Sequence, residues 1–182
     1  KPTDKGMDIA YNLTKELVKH KFTIVSGLAE GIDEVAHLAT IDYKGFGIGI
    51  LGHGINIMFP QKTYGIRKYL AENGAIITEF FPNDGYNKRT FVWRDRLQSG
   101  ISEVIIPIQG TKTSGTFHTI RYAEQQNKKV IGVYKQKIEK IEQNDVIIYI
   151  KNMRYPIYNI LKNLKSMIKD LEQYYDITLF KI

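Results

Sequence analysis

The sequence predicts an α/β fold with a doubly wound, mainly parallel sheet and helices on both faces. Short apolar segments without polar alternation, such as residues 48–51 and 130–133, suit strands that are buried on both faces. Between them lie amphipathic segments, such as residues 31–44, that suit helices. Strand–helix–strand units of this kind form right-handed crossovers, and the strands that they connect are therefore parallel.

The individual elements follow from the spacing of the apolar residues. Helical spacing predicts helices at residues 6–20, 31–44, 62–73, 94–100, 115–127 and 157–174. Apolar runs predict strands at residues 22–25, 48–51, 75–78, 104–108, 130–133 and 145–150. The polar residues 135–144 are predicted to form a loop. Asn73-Gly74 is a typical helix end.

These elements predict a core over residues 1–150 and a C-terminal helical segment, residues 151–182, that packs on the core or on a partner. The order begins with a helix, whereas doubly wound nucleotide-binding folds begin with a strand. We therefore expect the first strand of the core to be missing from this sequence.

Composition narrows the possible functions. Lys and Arg outnumber Asp and Glu by 26 to 19, and a net charge of +7 suits a polyanionic partner. The absence of cysteine excludes disulfides and thiolate chemistry, and the four histidines show no metal-ligand spacing, so we expect neither metal nor cofactor. No apolar run approaches a membrane span, and no apolar leader follows Lys1, so we expect a cytoplasmic protein without a membrane partner.

Three turns rich in small residues each follow a predicted strand. They contain the candidate phosphate-binding residues Ser26, Gly27 and Gly31, then Gly52 and Gly54, then Lys112, Ser114, Gly115 and Thr116. The carboxyl ends of parallel strands share one edge of the sheet, where main-chain N–H groups and helix N-termini can bind phosphate. Each turn taken alone is equally compatible with a tight connection that binds nothing.

A basic and aromatic segment follows the third predicted strand. Its candidate DNA-binding residues are Lys88, Arg89, Phe91, Arg94 and Arg96. Cations contact phosphates, and aromatic rings stack on unpaired bases. In the alternative interpretation, Phe91 and Trp93 belong to the core, and the arginines pair with Asp95 or Glu79.

The order of these motifs resembles the DprA/Smf family of DNA-processing proteins over about residues 1–134. The resemblance lies in Ser26-Gly27-Leu28-Ala29-x-Gly31-Ile32-Asp33, Gly52-x-Gly54, Phe59-Pro60, Glu79-Phe80, Phe91-x-x-Arg94-x-Arg96 and Ser114-Gly115-Thr116. It implies an extended Rossmann-like fold, a homodimer, and non-catalytic binding of single-stranded DNA in a basic pocket. It also implies delivery of that DNA to a RecA-type recombinase, as in natural transformation.

The sequence departs from the family pattern at several positions. The family opens with a strand ending in Gly-Ser-Arg, which is not found here, and its Arg-Asn-Arg is Arg94-Asp95-Arg96 in this chain. Two alternatives stay open beside DNA binding. One is a sensor of a small nucleotide-derived ligand, and the other is a phosphoribohydrolase of the related LOG type. The Pro-Gly-Gly-x-Gly-Thr-x-x-Glu turn of that enzyme is not matched by residues 110–119.

Overall fold

The structure is a computed structural model that describes residues 2–110, 114–134, 156–159 and 162–174. Its helices are α1 Asp4–Lys19, α2 Ile32–Asp42, α3 Tyr64–Asn73, α4 Lys88–Ile101, α5 Gly115–Gln125 and α6 Leu164–Tyr174. Its strands are β1 Ile24–Ser26, β2 Gly47–Ile50, β3 Ala75–Ile77, β4 Val104–Ile105, β5 Lys129–Val130, β6 Gly132–Tyr134 and β7 Ile157–Asn159. The predicted loop at residues 135–144, the predicted strand at 145–150 and Lys112 lie outside the described residues.

All strand pairs of the described residues are parallel, which confirms the predicted mainly parallel α/β architecture. β2 lies between β1 and β3, β4 pairs with β5, and β6 pairs with β7. β1 and β2 consist of apolar and small residues, and both strands have both faces largely covered. Parallel pairing brings the carboxyl ends of β1, β2 and β3 to one edge.

Apolar side chains of α1 form the centre of the largest core cluster. Ile9, Leu13 and Leu17 recur at helical spacing on the buried face of α1. They pack with β1 and β6 and with the buried residues Met167 and Leu171 of α6. α6 therefore packs on the core. The proposed division into a 1–150 core and a 151–182 segment stays a prediction.

A groove of about 1190 Å³ separates β1 from β4 and is lined mainly by residues 22–26 and 104–110. In doubly wound sheets, the strand that precedes the first helix lies between the strands equivalent to β1 and β4. The expected additional first strand stays a prediction.

Two predicted helices were wrong in extent. The helix expected at 94–100 begins at Lys88, because the Asn87 side chain accepts hydrogen bonds from the N–H groups of Arg89 and Thr90, at 2.8 and 3.2 Å. The helix expected at 157–174 begins at Leu164, because residues 157–159 pair with β6 as a strand. The predicted strand at 130–133 is divided between β5 and β6 at Ile131.

Candidate functional site

A cleft of about 450 Å³ lies at the carboxyl edge of the sheet, above the turns that follow β1 and β2. Six of the predicted site residues line it: Gly27, Gly52, Lys88, Phe91, Arg94 and Gly115. The volume is within the range of ligand pockets, which is about 300–1,000 Å³. The structure therefore brings parts of all three turns and of α4 to one place. Ser26, Gly31, Gly54, Arg89, Arg96, Ser114 and Thr116 do not line this cleft.

Carboxylates of α2 already occupy the main-chain donors of the turn after β1. Asp33 Oδ2 accepts hydrogen bonds from the N–H groups of Gly27 and Ala29, at 3.1 and 3.3 Å. Glu34 Oε2 accepts from the N–H of Gly31 at 3.2 Å. The chain thus supplies its own anions to these amides, and phosphate binding by Gly27 and Gly31 stays a prediction.

The glycines of the turn after β2 are explained by close packing. A Cβ on Gly52 would lie 2.6 Å from Cδ1 of Phe91, and a Cβ on Gly54 would meet the main chain of Pro82. The N–H of Gly54 donates to the carbonyl oxygen of Asp84 at 2.9 Å. Gly52 lets α4 approach the strand, and phosphate binding by Gly54, which does not line the cleft, stays a prediction.

Arg94 is buried, and its guanidinium holds the carboxyl ends of two strands. Its Nη1 donates to the carbonyl oxygens of Gly27 at 2.6 Å and of Ile50 at 2.5 Å, and its Nε lies 3.3 Å from Oδ1 of Asp95. Gly27 lacks a side chain because this guanidinium occupies the space. Arg94 thus has a structural role, and because it also lines the cleft, its expected phosphate contact stays a prediction.

Lys88 and Arg89 are the exposed cations beside the cleft. Among the described residues neither has a carboxylate within ion-pair distance, and Lys88 lines the cleft itself. Both stand in the first turn of α4, where the helix dipole disfavours positive charge. Cations placed against the dipole contradict local helix preferences, and such conflicts are typical of functional positions.

Arg96 lies outside the cleft, on another face of α4. Its Nη2 pairs with Glu79 at 2.5 Å, and its guanidinium lies 4.5 Å from the ring centroid of Trp93. Trp93 is 54% exposed. The structure thus corrects the expected place of Arg96 in the pocket. Arg89, Trp93 and Arg96 follow each other at helical spacing, with Arg89 and Trp93 exposed and Arg96 half-buried.

An aromatic cluster that the sequence reasoning missed lies beside the cleft, and its members Phe59, Phe91 and His53 line it. The rings of Phe59 and Tyr86 stack with centroids 3.9 Å apart, and each lies 5.8 Å from the ring of Phe91. His53 packs at its edge and bonds to the carbonyl of Phe59 at 2.7 Å. The predicted stacking residue Phe91 is therefore half-buried and packed on its neighbours, so that it offers limited ring surface to a base.

Asp95 brings a second acidic group to the cleft, besides the exposed Glu30. Burial raises the pKa of Asp95 to about 7, with Arg94 acting in the opposite direction and Asp33 adding to the rise. The sequence showed this acid as a departure from a family pattern. Its burial beside α5 could only be seen in three dimensions.

The third turn is divided between two cavities. Gly115 lines the cleft, whereas Ser114 and Thr116 line only the neighbouring groove between β1 and β4. The hydroxyl of Thr116 donates to the carbonyl of Gln109 at 3.3 Å. Ser114 Oγ is buried without a hydrogen-bond partner among the described residues. The expected phosphate contacts of Ser114 and Thr116 therefore stay predictions without support from the cleft.

The described part of the chain contains neither a metal-ligand cluster nor a helix that could span a membrane. Within those residues, no three His, Cys, Asp or Glu side chains lie close enough together to hold a metal ion. None of the helices in the same ranges has the length and apolarity that crossing a bilayer requires.

The chain is similar in sequence to curated proteins of two bacteria. The chain is 35% identical to the DNA processing protein DprA of Bacillus subtilis (strain 168) over 132 residues, which are 72% of this chain and 44% of that protein. It is 36% identical to the protein Smf of Escherichia coli (strain K12) over 115 residues, 61% of this chain and 30% of that protein. The chain thus spans less than half the length of these curated relatives.

Fold and family comparisons lead to the same group. The solved structure of DNA processing protein A from Helicobacter pylori superimposes with a TM-score of 0.83 at 24% identity, over 96% of this chain and 77% of that one. At this identity the likeness shows the fold. The sequence model of the DNA recombination-mediator protein A family matches residues 1–167. The chain therefore belongs to the DNA recombination-mediator protein A family, which includes the DprA and Smf proteins.

Proposed function

We propose that this chain binds single-stranded DNA without altering it chemically, through the cleft and the adjacent face of α4. The observation that carries the proposal is the pair of exposed cations in the first turn of α4, Lys88, which lines the cleft, and its neighbour Arg89, both without acidic partners in the described residues. Phosphates that bind these cations would release counterions and gain affinity at low salt. The net charge of +7 favours the same partner.

The exposed face of α4 supports a path for an extended strand. Trp93 is exposed on the same helix as the two cations and offers a ring face for stacking. Base–aromatic stacking contributes about 1–3 kcal/mol per base and requires unpaired bases, which favours single strands over duplex. The structure of the Helicobacter pylori relative was described for its single-stranded DNA binding mode.

The wider role is proposed from the family. Its name describes a recombination mediator, so the bound strand would be handed to a RecA-type recombinase, in natural transformation or a related form of DNA uptake. A homodimer in the cytoplasm would fit that role. Light scattering of the protein tests the dimer, and a stable monomer at high concentration would exclude it.

A second candidate is a sensor of a small nucleotide-derived ligand. The cleft favours it, because its volume of about 450 Å³ and the rings of Phe59 and Phe91 that line it suit a single nucleotide. Asp33 and Glu34 count equally against both proposed functions, because their carboxylates already accept hydrogen bonds from the nearest main-chain N–H groups.

One titration series separates the candidates. Fluorescence anisotropy with labelled oligo-dT, competed by unlabelled single strand, duplex or mononucleotide, is expected to show that single strand competes best and that affinity grows with strand length. Saturation by a mononucleotide, with no gain from longer strands, would instead establish the sensor. Release of free base from a nucleotide would establish a hydrolase and overturn the non-catalytic proposal.

A further inference from the structure

Apolar residues supply much of the lining of the cleft. They are Leu51, Phe59, Pro60, Phe91 and Val92. The volume of about 450 Å³ lies in the lower half of the range of ligand pockets. Apolar surface of this kind suits the faces of a flat heteroaromatic ring, whereas a negative charge buried against it loses its hydration without compensation.

The main-chain N–H groups of the turn beside the cleft already have anionic partners. Those of Gly27 and Ala29 donate to the carboxylate of Asp33, at 3.1 and 3.3 Å. That of Gly31 donates to the carboxylate of Glu34 at 3.2 Å. A phosphate inside the cleft would have to compete with these carboxylates for the same donors.

The Lys, Arg, Asp and Glu side chains of the lining balance in charge. They are Lys88 and Arg94 on one side, and Glu30 and Asp95 on the other. Arg94 bonds to the carbonyl oxygens of two strands and pairs with Asp95. Within the described ranges, Lys88 and Glu30 have no ion pair, and both are exposed. These four side chains therefore give the interior of the cleft no net positive charge that would favour a phosphate.

We propose that the cleft receives a base of the single strand, while the flanking phosphates stay outside on Lys88 and Arg89. This inference rests on the proposed function and names the part of the nucleotide that enters the site. A base that leaves the stack packs its faces against apolar side chains and bonds through its edge to polar groups. Phe59 and Phe91 provide the apolar contact, and the phosphates keep their water and the exposed cations.

Glu30 gives the cleft a preference among the bases. A carboxylate only accepts hydrogen bonds, so it favours a base edge that carries an exocyclic amino group. Cytosine carries such a group at C4, where uracil carries a carbonyl oxygen. The two pyrimidines have nearly the same size, so apolar packing distinguishes them little. The preferred occupant of the cleft is therefore a base with an amino group, such as cytosine.

The first test compares oligo-dC with an abasic strand of the same length, which keeps the phosphates and lacks the bases. Fluorescence anisotropy with the whole chain should show that the abasic strand binds about tenfold more weakly. Both strands should have the same salt dependence, because the contacts of Lys88 and Arg89 with phosphate are retained. Equal affinities would overturn the inference and leave the proposed function in place, whereas absence of binding by either strand would overturn both.

A variant that fills the cleft shows where the bases lie, because a base stacked on Trp93 would also be missing from the abasic strand. Ala29 is exposed, lines the cleft and bonds to Asp33 through its main chain, so Ala29→Leu reduces the space and keeps that bond. It should weaken the binding of oligo-dC several-fold and leave the abasic strand unaffected. Ala71→Leu is the matched control, because Ala71 is exposed on α3 and does not line the cleft. Unchanged binding of oligo-dC to Ala29→Leu, or an equal loss with both strands, would overturn the inference.

The base preference is tested with Glu30→Gln. Wild type should bind oligo-dC several-fold more tightly than oligo-dU, and the variant should bring this ratio close to one, because an amide both donates and accepts. Glu72→Gln removes the same charge from an exposed position of α3 outside the cleft and should keep the wild-type ratio. A ratio of one in wild type, or the wild-type ratio in Glu30→Gln, would overturn the part of the inference that concerns Glu30.

Discussion

The guanidinium of Arg94 donates a hydrogen bond to the carbonyl oxygen of Gly27 across 2.6 Å, in the space that a side chain at Gly27 would fill. Through this bond and a second one to Ile50, α4 is fixed to the carboxyl ends of β1 and β2. The position of the exposed cations at the start of α4 therefore depends on a buried cation in its middle.

The first prediction concerns this buried arginine. Arg94→Ala should lower the free energy of unfolding by about 3–5 kcal/mol, because it leaves two buried carbonyls and Asp95 without their partner. Urea unfolding measures the change. Arg89→Ala, an exposed control on the same helix, should stay within about 0.5 kcal/mol of wild type. Equal stability of Arg94→Ala and wild type would show that the guanidinium is not structural.

The second prediction concerns the contact between Gly52 and α4. A Cβ at position 52 would meet the ring of Phe91 at 2.6 Å and its Cα at 3.2 Å. Gly52→Ala should therefore destabilise the protein by about 1–3 kcal/mol. Gly65→Ala is the matched control, because nothing lies within 4 Å of that Cβ on α3, and it should be neutral or stabilising. Thermal unfolding of both variants measures the difference, and equal melting temperatures would contradict the close contact between Gly52 and Phe91.

The third prediction links stability to pH through Asp95. Its pKa is raised in the folded state, so the stabilisation that it contributes is complete below about pH 4 and is lost as the pH rises to about 7. Relative to Asp95→Asn, wild type should lose up to about 1.4 kcal/mol per pH unit over this window. Unfolding curves of both proteins at several pH values measure the difference, and parallel pH profiles would contradict the raised pKa.

The fourth prediction uses the single tryptophan of the chain. If a base stacks on Trp93, oligo-dT should change the intrinsic fluorescence, and Trp93→Ala should weaken binding by about 1–3 kcal/mol. Phe46→Ala is the control, since Phe46 is equally exposed but precedes β2 at the opposite edge of the sheet. Unchanged affinity of Trp93→Ala would remove this ring from the DNA path.

Much of the fold could be predicted, because the spacing of apolar residues in strands and helices is a local property of the sequence. The meeting of the three turns was also predictable, since parallel strands end at one edge. The boundary at Lys88 could have been found from Asn87 and Thr90, which form a capping pair three residues apart. Residues 157–159 could not have been assigned in this way, because a short apolar run fits either a strand or a buried helix.

The contacts of Arg94 and Asp33 could not be predicted from the sequence, for one physical reason. Arg94 stands among exposed cations in the sequence, and only the three-dimensional approach of α4 to Gly27 shows that it is buried. In the same way, Asp33 follows a glycine turn that resembles a phosphate site, and local spacing does not reveal that its carboxylate turns back onto the amides. Whether a side chain is buried, and whether other groups of the protein already bond its polar atoms, depends on the tertiary structure.

The most direct test of the account is the salt dependence of oligo-dT binding in Lys88→Ala/Arg89→Ala. Each phosphate contact contributes about 0.7 to the slope of log affinity against log salt for single strands. The double variant should bind more weakly and lose about 1.4 of this slope, with unchanged thermal stability. The control Lys165→Ala/Lys169→Ala removes the same charge from exposed positions of α6 that do not line the cleft. An unchanged slope in the Lys88/Arg89 variant, or an equal loss in the control, would contradict a phosphate site at this end of α4.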